Sequence, residues 1–199
     1  MLEMELHRSY SDVYYLHDYY PTRYKHISEE NDRLRRDIWA YKKIEHSALE
    51  RFTNELMGAI ELIGRGIGHK SIGLVAVPPS KVGKASAVGV SIWNICNWCN
   101  EGITQSIFGC DKKFYDFGSL LQRISDVSTA HEGRRSTYNE HKESIACTKK
   151  DLWRLRKTFI LMDDVLTLGT SMDVCRDILI ENGAPKDKII RLVIAKTII

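Results

Sequence analysis

No stretch of this sequence approaches the roughly 20 uninterrupted apolar residues that a membrane helix requires. The first residues, MLEMELHRSY, lack the basic-then-apolar order of a secretory leader. A soluble, cytoplasmic protein is the expectation. Cysteines are few and odd in number: Cys96, Cys99, Cys110, Cys147 and Cys175. That count argues against a paired disulfide framework and for reduced thiols. Internal repeats and low-complexity segments are missing as well. A net charge of +3 is too small to imply a nucleic-acid partner by itself. With 43% apolar and 28% charged residues in 199, one domain can bury a core without staples.

What is present falls into segments. The chain opens on a tyrosine-rich lead, YSDVYYLHDYYPTRY, followed by a charged helical stretch, ISEENDRLRRDIWAYKK. There Ser28 is a cap candidate, and Glu29 and Glu30 suit the positive end of a helix dipole. In the next segment Ser47 and Glu50 have capping-box spacing, and Leu49, Phe52, Leu56, Ile60 and Ile63 form an apolar stripe. Gly64, Gly66 and Gly68 are expected to end that helix. SIGLVAV, residues 71–77, is β-branched, apolar and stopped by Pro78 and Pro79, and so reads as a buried strand. Residues 85–99 return to a helical pattern, and FYDF at 114–117 is a short strand candidate.

Residues 123–150 are polar, basic and weakly periodic and read as a long loop, functional or mobile. Between Arg123 and Lys157, nine Lys or Arg stand against five Asp or Glu, a basic region that an anionic ligand could use. The C-terminal third reads as a βαβ unit. TFILMDD is an apolar run ending in two acids, TSMDVCRDILIEN is an amphipathic helix closed by Asn182 and Gly183, and IIRLVIAKTI is a second apolar run. Its two strands should be parallel and buried on both faces.

The loop from Asp163 to Ser171 is expected at the carboxyl end of that buried strand, where open α/β sheets bind ligands. Thr167, Gly169, Thr170 and Ser171 would wrap helix N–H groups and hydroxyls around a phosphate, and Gly169 allows close backbone approach. Asp163 and Asp164 repel an anion but suit the hydroxyls of a sugar attached to it. The pattern therefore fits a ribose phosphate.

The thirteen residues FILMDDVLTLGTS, Phe159 to Ser171, resemble the signature for 5-phosphoribosyl-1-pyrophosphate (PRPP) in type I phosphoribosyltransferases. The resemblance implies an α/β fold with an open, mostly parallel twisted sheet flanked by helices. It implies an N-terminal hood-like extension over residues 1–45 and a core over 46–199. Asp163 and Asp164 would hold the ribose hydroxyls, and Val165, Thr167, Leu168, Gly169, Thr170 and Ser171 would form the loop around the 5′-phosphate. Mg²⁺ would arrive with PRPP, with Asp163 and Asp164 as the carboxylates near it. PPSKVGK occupies the place of the pyrophosphate loop, with Ser80, Lys81 and Gly83 as its binding residues and Lys84 adding charge. Residues 124–145 correspond in order to the family's mobile loop, which makes His131, Arg134 and Arg135 the candidate catalytic residues, with Glu132 beside them. His141 and Ser144 lie near its return.

Within the family the chain is most similar to ComF-like proteins, without their zinc ribbon or RGFNQ-type segment. Thr167 stands where 6-oxopurine salvage enzymes place an Asp, which disfavours hypoxanthine and guanine. The resemblance implies a homodimer and transfer of phosphoribose to a nitrogen acceptor. The alternative is a non-catalytic PRPP- or nucleotide-sensing module, or an interaction module tied to competence or defence, for which the basic region speaks. Cys96 and Cys99 would share a helix face, but no second pair or close His pair follows, so a metal site is not read there. Tyr10, Tyr14, Tyr15, Tyr19 and Tyr20 fit a core edge or a dimer surface, and stacking on a base is the other use for them.

Overall fold

The computed structural model describes residues 6–9, 12–24, 26–67, 71–100, 113–127 and 136–198. In chain order its elements are β1 (His7–Arg8), β2 (Val13–Tyr19), α1 (Glu29–Lys42), α2 (His46–Gly66), β3 (Ser71–Ala76) and α3 (Ala87–Asn100). They continue with β4 (Lys113–Phe117), β5 (Leu121–Arg123), α4 (Tyr138–Glu143), β6 (Ile145–Cys147), β7 (Thr158–Leu166), α5 (Thr170–Glu181) and β8 (Ile189–Thr197). Among the described residues no helix is long and apolar enough to cross a membrane.

The apolar runs become the centre of a six-stranded sheet of order β1-β2-β8-β7-β3-β4. Every neighbouring pair is parallel except β1 with β2. Phe159, Ile160, Leu161 and Met162 of β7 and Leu192 to Ala195 of β8 are all 0% exposed, as expected of strands covered on both faces. This is an α/β architecture with a mostly parallel sheet between helices.

Right-handed crossovers decide which helix covers which face. From the adjacent pair β3 and β7, the chain runs through α3 to β4 in one lateral direction and through α5 to β8 in the other. The two helices must then lie on opposite faces. Accordingly, Val88, Ile92 and Ile95 of α3 join α1 and α2 over Ile72, Ile160 and Ile194. Met172, Cys175 and Leu179 of α5 pack over Val75, Leu161 and Val193, with Leu121 of β5 and Ile145 of β6 alongside. Gly73 leaves room for this second layer, since a Cβ there would sit 2.8 Å from Cδ2 of Phe117 and 3.0 Å from Cδ1 of Phe159.

Several local expectations change. Ser28 caps α1 as read, accepting from the Asn31 amide at 3.2 Å. The second helix instead begins at His46 behind Glu45, without a side-chain cap, so Ser47 lies inside it. Gly64 and Gly66 remain helical, the chain leaves the helix at Ile67, and Gly68 lies outside the described residues. The polar stretch 123–150 is not all loop, for it contains α4 and β6.

The tyrosine-rich lead enters the sheet itself. Residues of β2 pair with β8 from Val13 opposite Arg191 to Tyr19 opposite Thr197. Leu16, Leu34, Ile38 and Tyr41 share one core cluster with Ile72, Ile160 and Ile194, so residues before and after position 45 are packed together.

Candidate functional site

The sheet reverses its lateral direction between β3 and β7, and in open α/β sheets the crevice at such a point, outside the carboxyl ends of the strands, is where ligands bind. Two loops leave the adjacent strands β3 and β7 at this edge. Pairing continues one residue beyond β3, with the Val77 amide donating to the Met162 carbonyl at 2.9 Å. From this edge emerge the Pro78–Gly83 loop, level with Asp163, and, after β7 has run on to Leu166, the turn Thr167–Gly169.

The acids sit differently from expectation. Strand β7 runs on to Leu166, so Asp163 and Asp164 are held within the strand rather than in a loop, with Asp163 opposite Val193 and Val165 opposite Ala195. Side-chain alternation then directs the two carboxylates to opposite faces. Asp164 meets α1, where the Lys42 ammonium lies 2.9 Å from its Oδ1. Asp163 lies within electrostatic reach of Arg123 and of Cys175 on α5. Burial, reinforced by the Asp164 carboxylate, pushes the Asp163 carboxyl up to about 7. Burial also raises the Cys175 thiol, with Asp163 adding to the effect.

Beyond the strand, Thr167 and Leu168 are exposed, and Gly169 has φ +81°, the left-handed conformation that favours glycine. Gly169 is the N-cap of α5 and so brings no side-chain acceptor to the helix. The amides of Thr170 and Ser171 head a helix whose first turn has no side-chain cap, the arrangement that accepts an anion.

The loop after β3 also carries anion-binding features. Gly83 turns at φ +71°. The Val82 amide donates to Asp126 Oδ1 at 2.7 Å, and the Lys81 ammonium lies 3.9 Å from Asp126 Oδ2, so amide and cation converge on a carboxylate. The Ser80 carbonyl accepts from the Val127 amide at 3.0 Å. Beneath the loop lies Arg123, 7% exposed. Its Nε donates to the Pro79 carbonyl at 2.9 Å, one Nη to the Pro78 carbonyl at 3.3 Å and the other to Ser144 Oγ.

No family model and no curated protein matches this sequence.

His131, Arg134 and Arg135, with Glu132, lie outside the described residues. The chain on either side of them is fixed. Before them, Val127 is bonded to Ser80. After them, α4 begins with a capping box of Thr137 and Glu140. That helix is tied to α5 by Tyr138, whose hydroxyl donates to Asp177 Oδ2 at 2.7 Å, and by the ion pair of Lys142 with Glu181. His141 is half-buried, and burial, followed by the Arg123 charge, lowers its pKa.

The basic region is divided. Arg123 is buried under the candidate site, whereas Lys149 and Lys157 lie over the rings of Phe117 and Tyr115. The stretch before Thr158 meets the amino end of β7, away from the acids. Cys96 is buried in α3 with its thiol pushed up by burial, and Cys99 is half-buried. Among the described residues no group of three or more His, Cys, Asp or Glu is placed to hold a metal ion.

Sequence reading missed Lys42, Arg123 as a buried clamp, and Asp126. Lys42 carries no local signal, because its role depends on how α1 docks. Arg123 follows two apolar-flanked β residues in LLQRI, a weak hint of burial.

Proposed function

We propose that the chain binds PRPP and belongs with the type I phosphoribosyltransferases, transferring phosphoribose to a nitrogen acceptor. One observation supports this above the others. The acid pair of β7 begins level with the point where the chain leaves β3, at the carboxyl edge where the sheet reverses direction, and β7 is followed by the uncapped start of α5.

In this reading the amides and hydroxyls of Thr167 to Ser171 hold the 5′-phosphate at the head of α5. Asp164 accepts hydrogen bonds from the ribose hydroxyls, exchanging Lys42 for the sugar, and Asp163 sets the charge on the other face of the same strand. Ser80, Lys81 and Gly83 receive the pyrophosphate in place of the Asp126 carboxylate. Asp163 and Asp164 would be the carboxylates nearest a Mg²⁺ carried in with PRPP, and the ion would supply positive charge for the leaving pyrophosphate. The bond between the anomeric carbon and pyrophosphate oxygen breaks, its electron pair leaving with pyrophosphate. The acceptor nitrogen forms the new C–N bond and sheds a proton. His131, Arg134 and Arg135 are the proposed stabilisers of the developing charge.

The rival, a PRPP sensor on the same fold, binds without turnover. Pyrophosphate release with Mg²⁺, PRPP and a panel of nucleobases and amines separates the two. A transferase releases pyrophosphate in step with one acceptor. PRPP binding without release under every acceptor would favour the sensor, and absence of binding would refute both.

A further inference from the structure

Pro78 and Pro79 place two successive carbonyls where the chain leaves a buried strand, and a proline contributes no amide of its own to organise the turn. Both carbonyls accept from one side chain, the guanidinium of Arg123 at the end of β5. The same group donates to Ser144 Oγ, whose own hydroxyl reaches the His141 carbonyl at 2.8 Å. The Ile124 amide meets the Ser144 carbonyl at 2.8 Å, so the ends of β5 and β6 form a fixed platform under the loop. These donors all go to uncharged oxygens. Asp126 and Asp163 lie within electrostatic reach of Arg123. A planar fork of donors satisfies several acceptors in a set geometry that a lysine ammonium does not reproduce.

We propose that Arg123 is a positioning residue that holds the Pro78–Gly83 loop in the shape that receives the pyrophosphate end of the ligand. The inference rests on the PRPP reading above. It also implies a division of labour: the 5′-phosphate side, built from Thr167 to Ser171, does not depend on Arg123, because that turn is set by Gly169 and the start of α5.

The test uses two probes on the full chain, inorganic pyrophosphate with Mg²⁺ and ribose 5-phosphate, titrated by calorimetry into wild type, Arg123→Met and Arg123→Lys. Pyrophosphate affinity should fall about tenfold or more in Arg123→Met and be only partly restored in Arg123→Lys, tenfold being about 1.4 kcal/mol, the size of about one lost hydrogen bond. Ribose 5-phosphate affinity should fall clearly less than pyrophosphate affinity, since its phosphate is held at Thr167 to Ser171 and, on β7, only Asp163 lies within electrostatic reach of Arg123. Should Arg123→Met fail to fold, Arg123→Lys reads the same comparison. Unchanged pyrophosphate affinity in a folded variant, or equal loss of both ligands, overturns the inference alone. A wild-type chain that binds neither probe overturns the PRPP reading with it, and that result appears before any variant is made.

Discussion

Lys42, the last residue of α1, sets its ammonium nitrogen 2.9 Å from Oδ1 of Asp164 on β7. The contact joins the N-terminal segment to the carboxylate that the PRPP reading assigns to a ribose hydroxyl, so docking of α1 and occupancy of the site act on one atom.

The strength of this pair is open to a double-mutant cycle. Lys42 and Asp164 side chains are 40% and 25% exposed, which places the pair among partly solvated ion pairs. Lys42→Met should cost about 1 kcal/mol or less, and the loss should vanish in an Asp164→Asn background. Urea denaturation of the four proteins measures it; a full-sized loss that persists in the Asn background would show that Lys42 acts elsewhere.

Asp163 predicts a pH dependence of the ligand-free fold. Burial, with Asp164 second, raises its carboxyl to about 7, so the folded state favours the neutral acid. A raised pKa contributes stability that is fully present below the unfolded value of about 4 and is lost as pH rises through about 7. Asp163→Asn should remove this slope and be more stable than wild type at alkaline pH by on the order of 1–4 kcal/mol. Thermal melts across that range check both the slope and its sign.

Asp126 occupies the loop's amide and lysine as a carboxylate, in the position proposed for pyrophosphate. Asp126→Asn removes the competing charge and should tighten inorganic pyrophosphate about threefold to tenfold, the range of one modest electrostatic interaction. Weaker binding in this variant would mean that Asp126 supports the loop instead of competing for it.

Gly73 tests the packing that carries β4. A methyl group there meets the rings of Phe117 and Phe159, so Gly73→Ala should destabilise the chain by about 1–3 kcal/mol. Adding Phe117→Leu should return part of that loss, read as a rise in denaturation midpoint.

The parts of this protein legible in its sequence are those whose burial is dictated locally. Strands β7 and β8 are continuous apolar runs, and α5 between them carries a clean stripe closed by Asn182 and Gly183, the latter at φ +95°. Strand β2 was hidden because its tyrosines, His17 and Asp18 hide the apolar alternation, although aromatic residues favour strands. The signal for α4 was present, as Thr137 and Glu140 have capping-box spacing, but a six-residue helix offers too little periodicity to stand out from a polar stretch. At the site, Gly169 is legible because its left-handed backbone is encoded in the residue type, whereas the acids read as part of a loop because nothing local shows that β7 runs on past them to Leu166. Lys42, Arg123 and Asp126 reach it from α1 and from around β5, and only the assembled sheet brings those segments together.

The central claim is that the tip of β7 and the loop after β3 form one PRPP site. Calorimetric titration of PRPP with Mg²⁺ into wild type and into the Asp163→Asn, Asp164→Asn double variant tests it most directly. The account predicts saturable one-site binding to wild type and its loss in a double variant that keeps its circular dichroism spectrum. Equal PRPP affinity in the two proteins would contradict it.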